Sequence, residues 1–338
     1  MKKNTTRYYF LFLFSSILVI FLFSTRLGIV SLNWQEYKNA FFCKNPENLA
    51  NTLIWDIRMP RFVLALLAGG ILAVTGQGMQ ILVRNPLADP YTMGTASGAS
   101  LGINLALMGW LPASLVSYFL IPVWAFAGAL GSSFIVLALV SGKRRTDNGS
   151  FLLIGVSVSM LANSILSLIT FWSARQNEVR HLLFWTFGNL DKASWDTVLP
   201  IGILSMIGFC FMLFGKQAWN LLLLGDEKAT SLGLNVFVIK RVLLVLCAFL
   251  TACVVSLAGP IGFVGLVVPY WTRKLVPVSD WEFLPLTFLA GAAFLSACDL
   301  LSRILFLPYG LPIGLVTSLV GVPFFLYLLR ETSRKSSF

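Results

Sequence analysis

The feature that most constrains the fold is a series of apolar runs, each close to the length of a membrane-spanning helix. A helix that crosses the hydrocarbon core of a bilayer needs about 20 mostly apolar residues. Ten runs meet or approach that length, and the third and eighth are short or interrupted. They cover residues 8–28, 62–82, 93–110, 116–140, 150–172, 197–214, 240–257, 263–276, 283–301 and 312–329. The pattern predicts an all-α membrane protein with about ten transmembrane helices.

The composition excludes a soluble globular fold. Of the 338 residues, 57% are hydrophobic and 12% are charged, which is more apolar surface than a soluble core can bury. The first apolar run follows a basic head, as in a signal peptide, but no Ala-x-Ala-like cleavage site follows it. We therefore interpret it as an uncleaved first span. No long charged or low-complexity linker interrupts the runs, so residues 1–338 are predicted to form a single transmembrane domain.

The net charge of +11 does not indicate a nucleic-acid-binding protein, because the basic residues lie at the ends of apolar runs and not on a soluble face. Cytoplasmic connections of membrane proteins are enriched in Lys and Arg. If the basic N-terminus is inside, ten spans return the C-terminus to the inside. About two thirds of the 25 Lys and Arg residues then fall on the inner side, as this rule requires. Both termini are predicted to be cytoplasmic.

The sequence contains no arrangement typical of an enzyme. His181 is the only histidine, and no Ser/His/Asp set, HExxH motif or carboxylate pair falls at membrane depth. The five cysteines show neither CxxC pairs nor metal-ligand spacing, and no phosphate-binding G-x-x-x-x-G-K-[ST] loop is present. We expect no catalytic residues, no metal site and no directly bound cofactor. Because Asp299 is the only acid near a span, the sequence also argues against an ion-coupled carrier.

A polar segment at 81–102, ILVRNPLADPYTMGTASGASLG, interrupts the apolar pattern. Its first part, residues 84–90, is predicted to be an inner turn because its prolines disfavour helix. In its second part, Gly94 and Gly98 begin small-xxx-small repeats, which let helix backbones approach closely in lipid. Tight packing is one interpretation, and a discontinuous helix beside a transport path is the other. Gln77, Gln80 and Asn163 are uncharged and are candidates for the same two roles, interhelical hydrogen bonding or path lining.

Three arginines lie on the side of the membrane where the topology rule disfavours them: Arg58, Arg61 and Arg303. One interpretation is local pairing, because Asp56 is close to Arg58 in sequence and Asp299 precedes Arg303 by one helical turn. The other is a docking surface for an acidic protein, since the planar guanidinium group binds carboxylates through two hydrogen bonds.

The inner connection between residues 221 and 236 is predicted to contain a short helix. Asp226 and Glu227 would start it, where negative charge suits the helix dipole, and Gly233 is placed to end it. Such a helix could transmit motion to a soluble partner, and an idle surface helix fits the same pattern.

These pieces together resemble the signature of the FecCD-type permeases, the membrane subunits of bacterial ABC importers for ferric siderophores, haem and cobalamin. The resemblance extends over nearly the whole chain from Ile57. It rests mainly on RMPR at 58–61, RNPLA at 84–88, AGPIGFVGLVVP at 258–269 and LPIG at 311–314. Three features depart from the family pattern and leave the roles of those side chains open. Tyr270 replaces a common His, Gly310 replaces a common Glu, and the loop after Pro277 keeps only Asp280 of the usual Gly-x-Asp-x-Arg.

The resemblance implies a BtuC-like importer fold of ten helices in the bacterial cytoplasmic membrane. It implies a second permease subunit, identical or homologous, two cytoplasmic ATPase subunits that use the ATP, and an extracytoplasmic substrate-binding protein. Arg58, Arg61 and Arg303 would receive acidic residues of that binding protein. The ATPase would contact the inner loop, at Asp226, Glu227, Lys228, Ala229, Ser231, Leu232 and Gly233. A ferric siderophore is the first choice of substrate, haem and cobalamin are alternatives, and an ion-coupled secondary transporter is the distant alternative.

Overall fold

The fold of the chain is all-helical throughout the part that the computed structural model describes, which comprises residues 2–28, 30, 32–42, 49–107, 120–141, 148–172, 187–305 and 310–335. The helices are α1 (Lys2–Arg26), α2 (Trp34–Phe42), α3 (Leu49–Thr52), α4 (Met59–Val83), α5 (Thr95–Leu107), α6 (Ile121–Ser141), α7 (Asn148–Trp172), α8 (Trp195–Phe214), α9 (Lys216–Leu223), α10 (Asp226–Ser231), α11 (Val236–Ala258), α12 (Val264–Leu275), α13 (Phe283–Ile304) and α14 (Ile313–Lys335). A π-helical turn at Leu53–Arg58 leads into α4.

Within the described residues, each of the ten predicted spans contains a helix, while residues 108–110 of the third span and 116–119 of the fourth lie outside them. Within the described ranges, seven helices are long and apolar enough to cross a membrane, and Ile313–Tyr327 is a shorter apolar helix. The third and eighth predicted spans correspond to α5 and α12, which have only 13 and 12 residues. At 1.5 Å per residue, neither crosses a hydrocarbon core that is about 30 Å thick. The predicted all-α membrane fold is confirmed, including its two short members.

Helix α4 lies at the centre of the bundle. In its most apolar stretch 83% of the residues are buried, compared with 11% for α1. It packs against α8, α11, α12 and α13. Glycines bring these backbones together: a Cβ atom at Gly69 would overlap the carbonyl of Gly291 on α13, and a Cβ at Gly76 would overlap Gly265 on α12. Lipid provides no hydrophobic driving force between helices, so the van der Waals contacts of this close approach stabilise their association.

Helices α5 and α6 cross in the same way. A Cβ at Gly98 would overlap the carbonyl of Gly128, and one at Gly102 would overlap the carbonyl of Trp124. The Ser132 hydroxyl of α6 donates to the Gly94 carbonyl, 2.8 Å away, just before α5 begins. The small-xxx-small repeat therefore lies at a helix crossing.

Irregular backbone precedes both short helices and lies beside the middle of α4. A Cβ at Gly265 would come within 2.7 Å of Pro90 Cδ and 3.1 Å of the Leu72 carbonyl oxygen. The amide of Ile261 donates to the Tyr91 hydroxyl at 2.9 Å. Segments 84–94 and 259–263 thus approach each other at the level of mid-α4, where irregular backbone is tolerated because protein surrounds it.

The segment before α8, residues 187–194, links α11, α14 and α4. The Asn189 amide donates to the Ala258 carbonyl at 2.8 Å, and the Gly314 amide donates to the Phe187 carbonyl at 3.0 Å. Gly188 has φ +71°, a left-handed conformation that favours glycine. This segment therefore joins the end of α11 to the start of α14, and it carries Asp191 toward α4.

Candidate functional site

The three outer arginines converge at one end of α4. Arg61 Nε donates to Asp299 Oδ1 at 2.8 Å, and Arg303 Nη2 pairs with Asp299 Oδ2, also at 2.8 Å, across one turn of α13. Arg61 Nη1 also pairs with Asp191. The side chain of Asp299 is only 1% exposed, so it is paired within the bundle as a buried carboxylate must be. The local pairing of Asp299 with Arg303 is therefore present.

Arg58 binds backbone oxygens. Its Nη1 donates to the carbonyls of Thr25 at 2.6 Å and Arg26 at 2.7 Å, and its Nη2 donates to the carbonyl of Val30. The last carbonyls of a helix have no partner within the helix. Arg58 therefore caps the end of α1 from outside that helix.

Arg303 holds the same end of α1. Its Nη1 donates to the Ser24 carbonyl at 3.1 Å, and its Nη2 donates to the Ser24 hydroxyl. Arg58 and Arg303 are 5% and 9% exposed, while the side chain of Arg61 is 14% exposed and that of its partner Asp191 is 60% exposed. Of the two carboxylates in this outer cluster, Asp191 is the one open to solvent.

The inner loop forms the helix that the sequence predicts. Helix α10 follows Gly225, which has φ +108°, and Gly233, with φ +84°, lies just beyond its end. Asp226 and Glu227 occupy the first turn. Ala229 is buried, and it holds α10 against the bundle. Among the residues predicted to contact the ATPase, those that are exposed are Glu227, Lys228, Ser231, Leu232 and Gly233.

Two cations bind Asp226. Arg84, the residue after α4, pairs with Oδ1, and Lys240 of α11 pairs with Oδ2 at 2.7 Å. Arg84 Nε also donates to the carbonyl of Leu222, near the end of α9, at 3.2 Å. From sequence, Arg84 is predicted to lie in a turn and Asp226 at a helix start, with no pairing between them. The two residues lie 142 positions apart in the sequence, so no local pattern could indicate their contact.

The three uncharged polar residues singled out in the spans, Gln77, Gln80 and Asn163, differ in burial and in hydrogen bonding. Gln80 Nε2 donates to the Gly265 carbonyl at 3.1 Å, and its Oε1 accepts from Arg273 of α12. Gln80 therefore joins α4 to α12. Gln77 is buried, and its Oε1 has no hydrogen-bond partner among the described residues. Asn163 is exposed on α7, on a surface that this single chain leaves open.

The sequence analysis overlooked Asn104. This residue of α5 is fully buried, and both atoms of its amide group are without a hydrogen-bond partner among the described residues. Ser97 and Ser100 precede it at helical spacing and are also buried. A polar stripe at i, i+3 and i+7 in an apolar helix was the available signal.

Among the residues that the structure describes, His, Cys, Asp and Glu side chains form no group of three or more. His181 lies outside those residues.

A bundle of apolar helices that carries charged clusters at the two ends of its central helix has the architecture of a multi-pass membrane permease. The comparisons specify the family: the FecCD transport family matches residues 16–331, and the chain belongs to it. It is 37% identical over 330 residues to the hemin transport system permease protein HmuU of Yersinia pestis, with 96% of each chain covered. It is 39% identical over 286 residues to the cobalamin import system permease protein BtuC of Halobacterium salinarum, covering 85% of this chain and 75% of that protein.

A solved structure supports the same assignment. A chain described as a metal-chelate type ABC transporter in an inward-facing conformation superposes with a TM-score of 0.83 at 26% identity, covering 94% of this chain and 97% of that one. The predicted family and importer fold are thereby confirmed. The protein is a multi-pass permease of the cytoplasmic membrane.

Proposed function

We propose that this chain is the transmembrane permease subunit of an ATP-driven importer that takes up an iron chelate, with a ferric siderophore as the first choice of substrate. The observation that carries the proposal is the family match across nearly the whole ten-helix bundle. The relatives named above serve haemin, cobalamin and metal chelates. All three are bulky organic ligands that hold a metal. Haem and cobalamin are therefore the alternative substrates.

The chemistry of the buried polar side chains supports a chelate as the substrate in this proposal, in preference to a bare ion. Most of the polar side chains at membrane depth are uncharged amides and hydroxyls, such as Gln77 and Asn104. Bare cations are bound by acidic side chains or by rings of carbonyl oxygens. A chelate presents its own organic surface, so uncharged walls suffice to pass it.

The energy source in this proposal is a partner ATPase. Helix α10 supports that assignment, because it projects exposed side chains on a short element that glycines flank. Leu232, in the polar connection between α10 and α11, is also 60% exposed. Exposed apolar side chains within a polar loop are typical of a protein contact.

The outer partner in this proposal is a substrate-binding protein that docks near the arginine cluster. The cluster holds three guanidinium groups against the two carboxylates of Asp191 and Asp299, so it retains a positive charge that attracts acidic residues. Arg58 and Arg303 are mostly committed to α1, so direct contact falls mainly on Arg61, with the other two holding the docking surface in place.

Transport by the reconstituted complex tests the proposal. The permease, its ATPase and its binding protein would be placed in liposomes, and uptake of a ferric hydroxamate, haemin and cobalamin would be measured with and without ATP. We expect ATP-dependent accumulation, strongest for the ferric hydroxamate. Preferred uptake of haemin or cobalamin would select an alternative substrate. Uptake by this chain alone, driven by an ion gradient, would instead identify a secondary transporter.

A further inference from the structure

The inner loop is held to the bundle through one carboxylate that two helices share. Asp226 pairs with Arg84, which follows α4, and with Lys240 of α11. Arg84 adopts φ +51°, a left-handed conformation that is uncommon for a residue other than glycine. In this position it reaches both Asp226 and the Leu222 carbonyl. The carboxylate therefore links α10 to both neighbouring transmembrane helices.

Little else fixes the orientation of α10. A Cβ atom built on Gly225 or Gly233 would meet no atom within 4 Å among the described residues, so no neighbouring group packs against that side of either glycine. Glycine also has the widest choice of backbone conformations. Within α10 only Ala229 is buried. A six-residue helix with a single buried side chain can pivot unless charged contacts restrain it.

Stabilising the bundle is a poor explanation for this arrangement. The side chains of Asp226, Arg84 and Lys240 are 47%, 30% and 23% exposed, and ion pairs of this exposure add little to global stability. The same contacts are sufficient to choose between orientations of a small element, because that choice does not involve unfolding a core.

We propose that Asp226 is a positioning residue for coupling. By binding Arg84 and Lys240 together, its carboxylate makes α10 move with α4 and α11, so that a displacement at the ATPase contact is passed to the helices around the path. Asp226 thus acts inside the permease, whereas the exposed Glu227 and Lys228 remain available to the partner. The inference rests on the proposed function.

The test measures uptake and ATP hydrolysis in the same reconstituted complex. Asp226→Asn removes the charge and keeps the shape of the side chain. We expect the ratio of substrate imported to ATP hydrolysed to fall about 5-fold or more, the lower end of typical coupling factors. Asp226→Glu, which keeps the carboxylate, should restore most of the ratio. Asp280→Asn is the matched control, because Asp280 is an exposed acid in the α12–α13 connection and is not one of the groups that join Asp226, Arg84 and Lys240.

A double-mutant cycle assigns the effect to the pair. Arg84→Gln should also lower the ratio, and the double variant should be no worse than Asp226→Asn alone, since Asp226→Asn already removes the ion pair with Arg84. Additive losses would overturn the proposal. So would an Asp226→Asn ratio within 2-fold of the unmodified protein, or a loss of ATPase binding in a pull-down with an unchanged ratio, which would make Asp226 a partner contact.

The wild-type measurement separates this inference from the proposed function. If the unmodified complex shows no ATP-dependent uptake, the proposed function is wrong. If it imports substrate with ATP and the Asp226 variants do so equally well, only the positioning role is wrong.

Discussion

Arg61 joins a buried carboxylate to a solvent-exposed one at the outer end of α4. Its Nε binds Asp299, which the bundle encloses, and its Nη1 binds Asp191, whose side chain is 60% exposed. The buried pair fixes the position of the guanidinium group. The exposed pair is open to competition, because an exposed ion pair is worth only about 0–1 kcal/mol. An incoming carboxylate could therefore replace Asp191 on an arginine that is already in place.

This arrangement predicts opposite effects for two substitutions. Asp191→Asn should tighten binding of the substrate-binding protein about 3-fold, because it removes the competing carboxylate, whose ion pair is worth under about 1 kcal/mol. Arg61→Gln should weaken binding and reduce its dependence on salt. Surface plasmon resonance on the permease in nanodiscs, at two salt concentrations, measures both. Equal affinities for the two variants and the unmodified protein would contradict docking at Arg61.

Arg58 stabilises the end of α1, where its guanidinium group donates hydrogen bonds to three carbonyl oxygens. Arg58→Met keeps much of the side-chain volume and leaves those oxygens without their donor. Unsatisfied buried polar groups cost about 1–3 kcal/mol each. We expect a clear decrease in the thermal unfolding midpoint in detergent, whereas Lys38→Met on the exposed surface of α2 should leave it unchanged. Equal midpoints for these two variants would contradict the capping role.

At the scale of elements, the close helix crossings depend on single glycines. Gly76 of α4 faces the backbone of Gly265, and Gly69 faces that of Gly291. Backbone atoms cannot move aside as a flexible side chain can, so an added methyl group must push whole helices apart. The crossings of α4 with α12 and α13 therefore have no room for a Cβ atom.

This geometry predicts that Gly76→Ala destabilises the bundle. Overpacking a well-packed interior costs about 1–3 kcal/mol, which should appear as a lower unfolding midpoint and a smaller yield of folded protein. Gly131→Ala on α6 is the matched control, because a Cβ there would meet no atom within 4 Å, and alanine is the better helix former. Equal destabilisation by both substitutions would show that the close contact is not the cause.

The short helices α5 and α12 show how local sequence and packing combine. Proline and glycine around residues 86–94 and 259–262 prevent continuous helix, and the sequence therefore signals two interrupted spans. The depth of the interruptions comes from packing, since Pro90 and Gly265 meet beside the middle of α4. The tight packing around Gly98 and a path beside the interruption are compatible, and the path role of these residues stays a prediction.

At the scale of the whole molecule, α4 connects the two charged clusters. Its N-terminal end carries Arg61 and its C-terminal end leads to Arg84. With 25 residues at about 1.5 Å each, it spans the bilayer core and is enclosed by protein along most of its length. An element of this kind is suited to pass a rigid-body displacement from one side of the membrane to the other.

The predicted orientation places both termini and α10 in the cytoplasm, because most Lys and Arg residues then lie inside. Cysteine labelling checks it. In a cysteine-free background, Ser231→Cys should react with a membrane-impermeant maleimide only in inside-out vesicles, and Gln35→Cys on α2 only in right-side-out vesicles. Both positions are exposed. The reverse pattern would invert the topology.

The sequence by itself determined the number and positions of the spans, because the length of an apolar run is a local property that the bilayer thickness sets. It also indicated features within one helical turn: it offered the pairing of Asp299 with Arg303 as one of two interpretations, and it predicted the glycine that ends α10. These follow from backbone preferences and helical spacing, which need no knowledge of neighbours.

Only the tertiary structure decided which distant charges meet. Arg61 and Asp299 lie 238 residues apart, and Arg84 and Asp226 lie 142 apart. Their contacts depend on the helix crossings that Gly69 and Gly76 permit. Likewise, the sequence marks Arg58 as an unusual outer charge, but its capping of α1 depends on where that helix ends against α4. Side-chain chemistry limits the choice of partners, and the packing of the bundle selects among them.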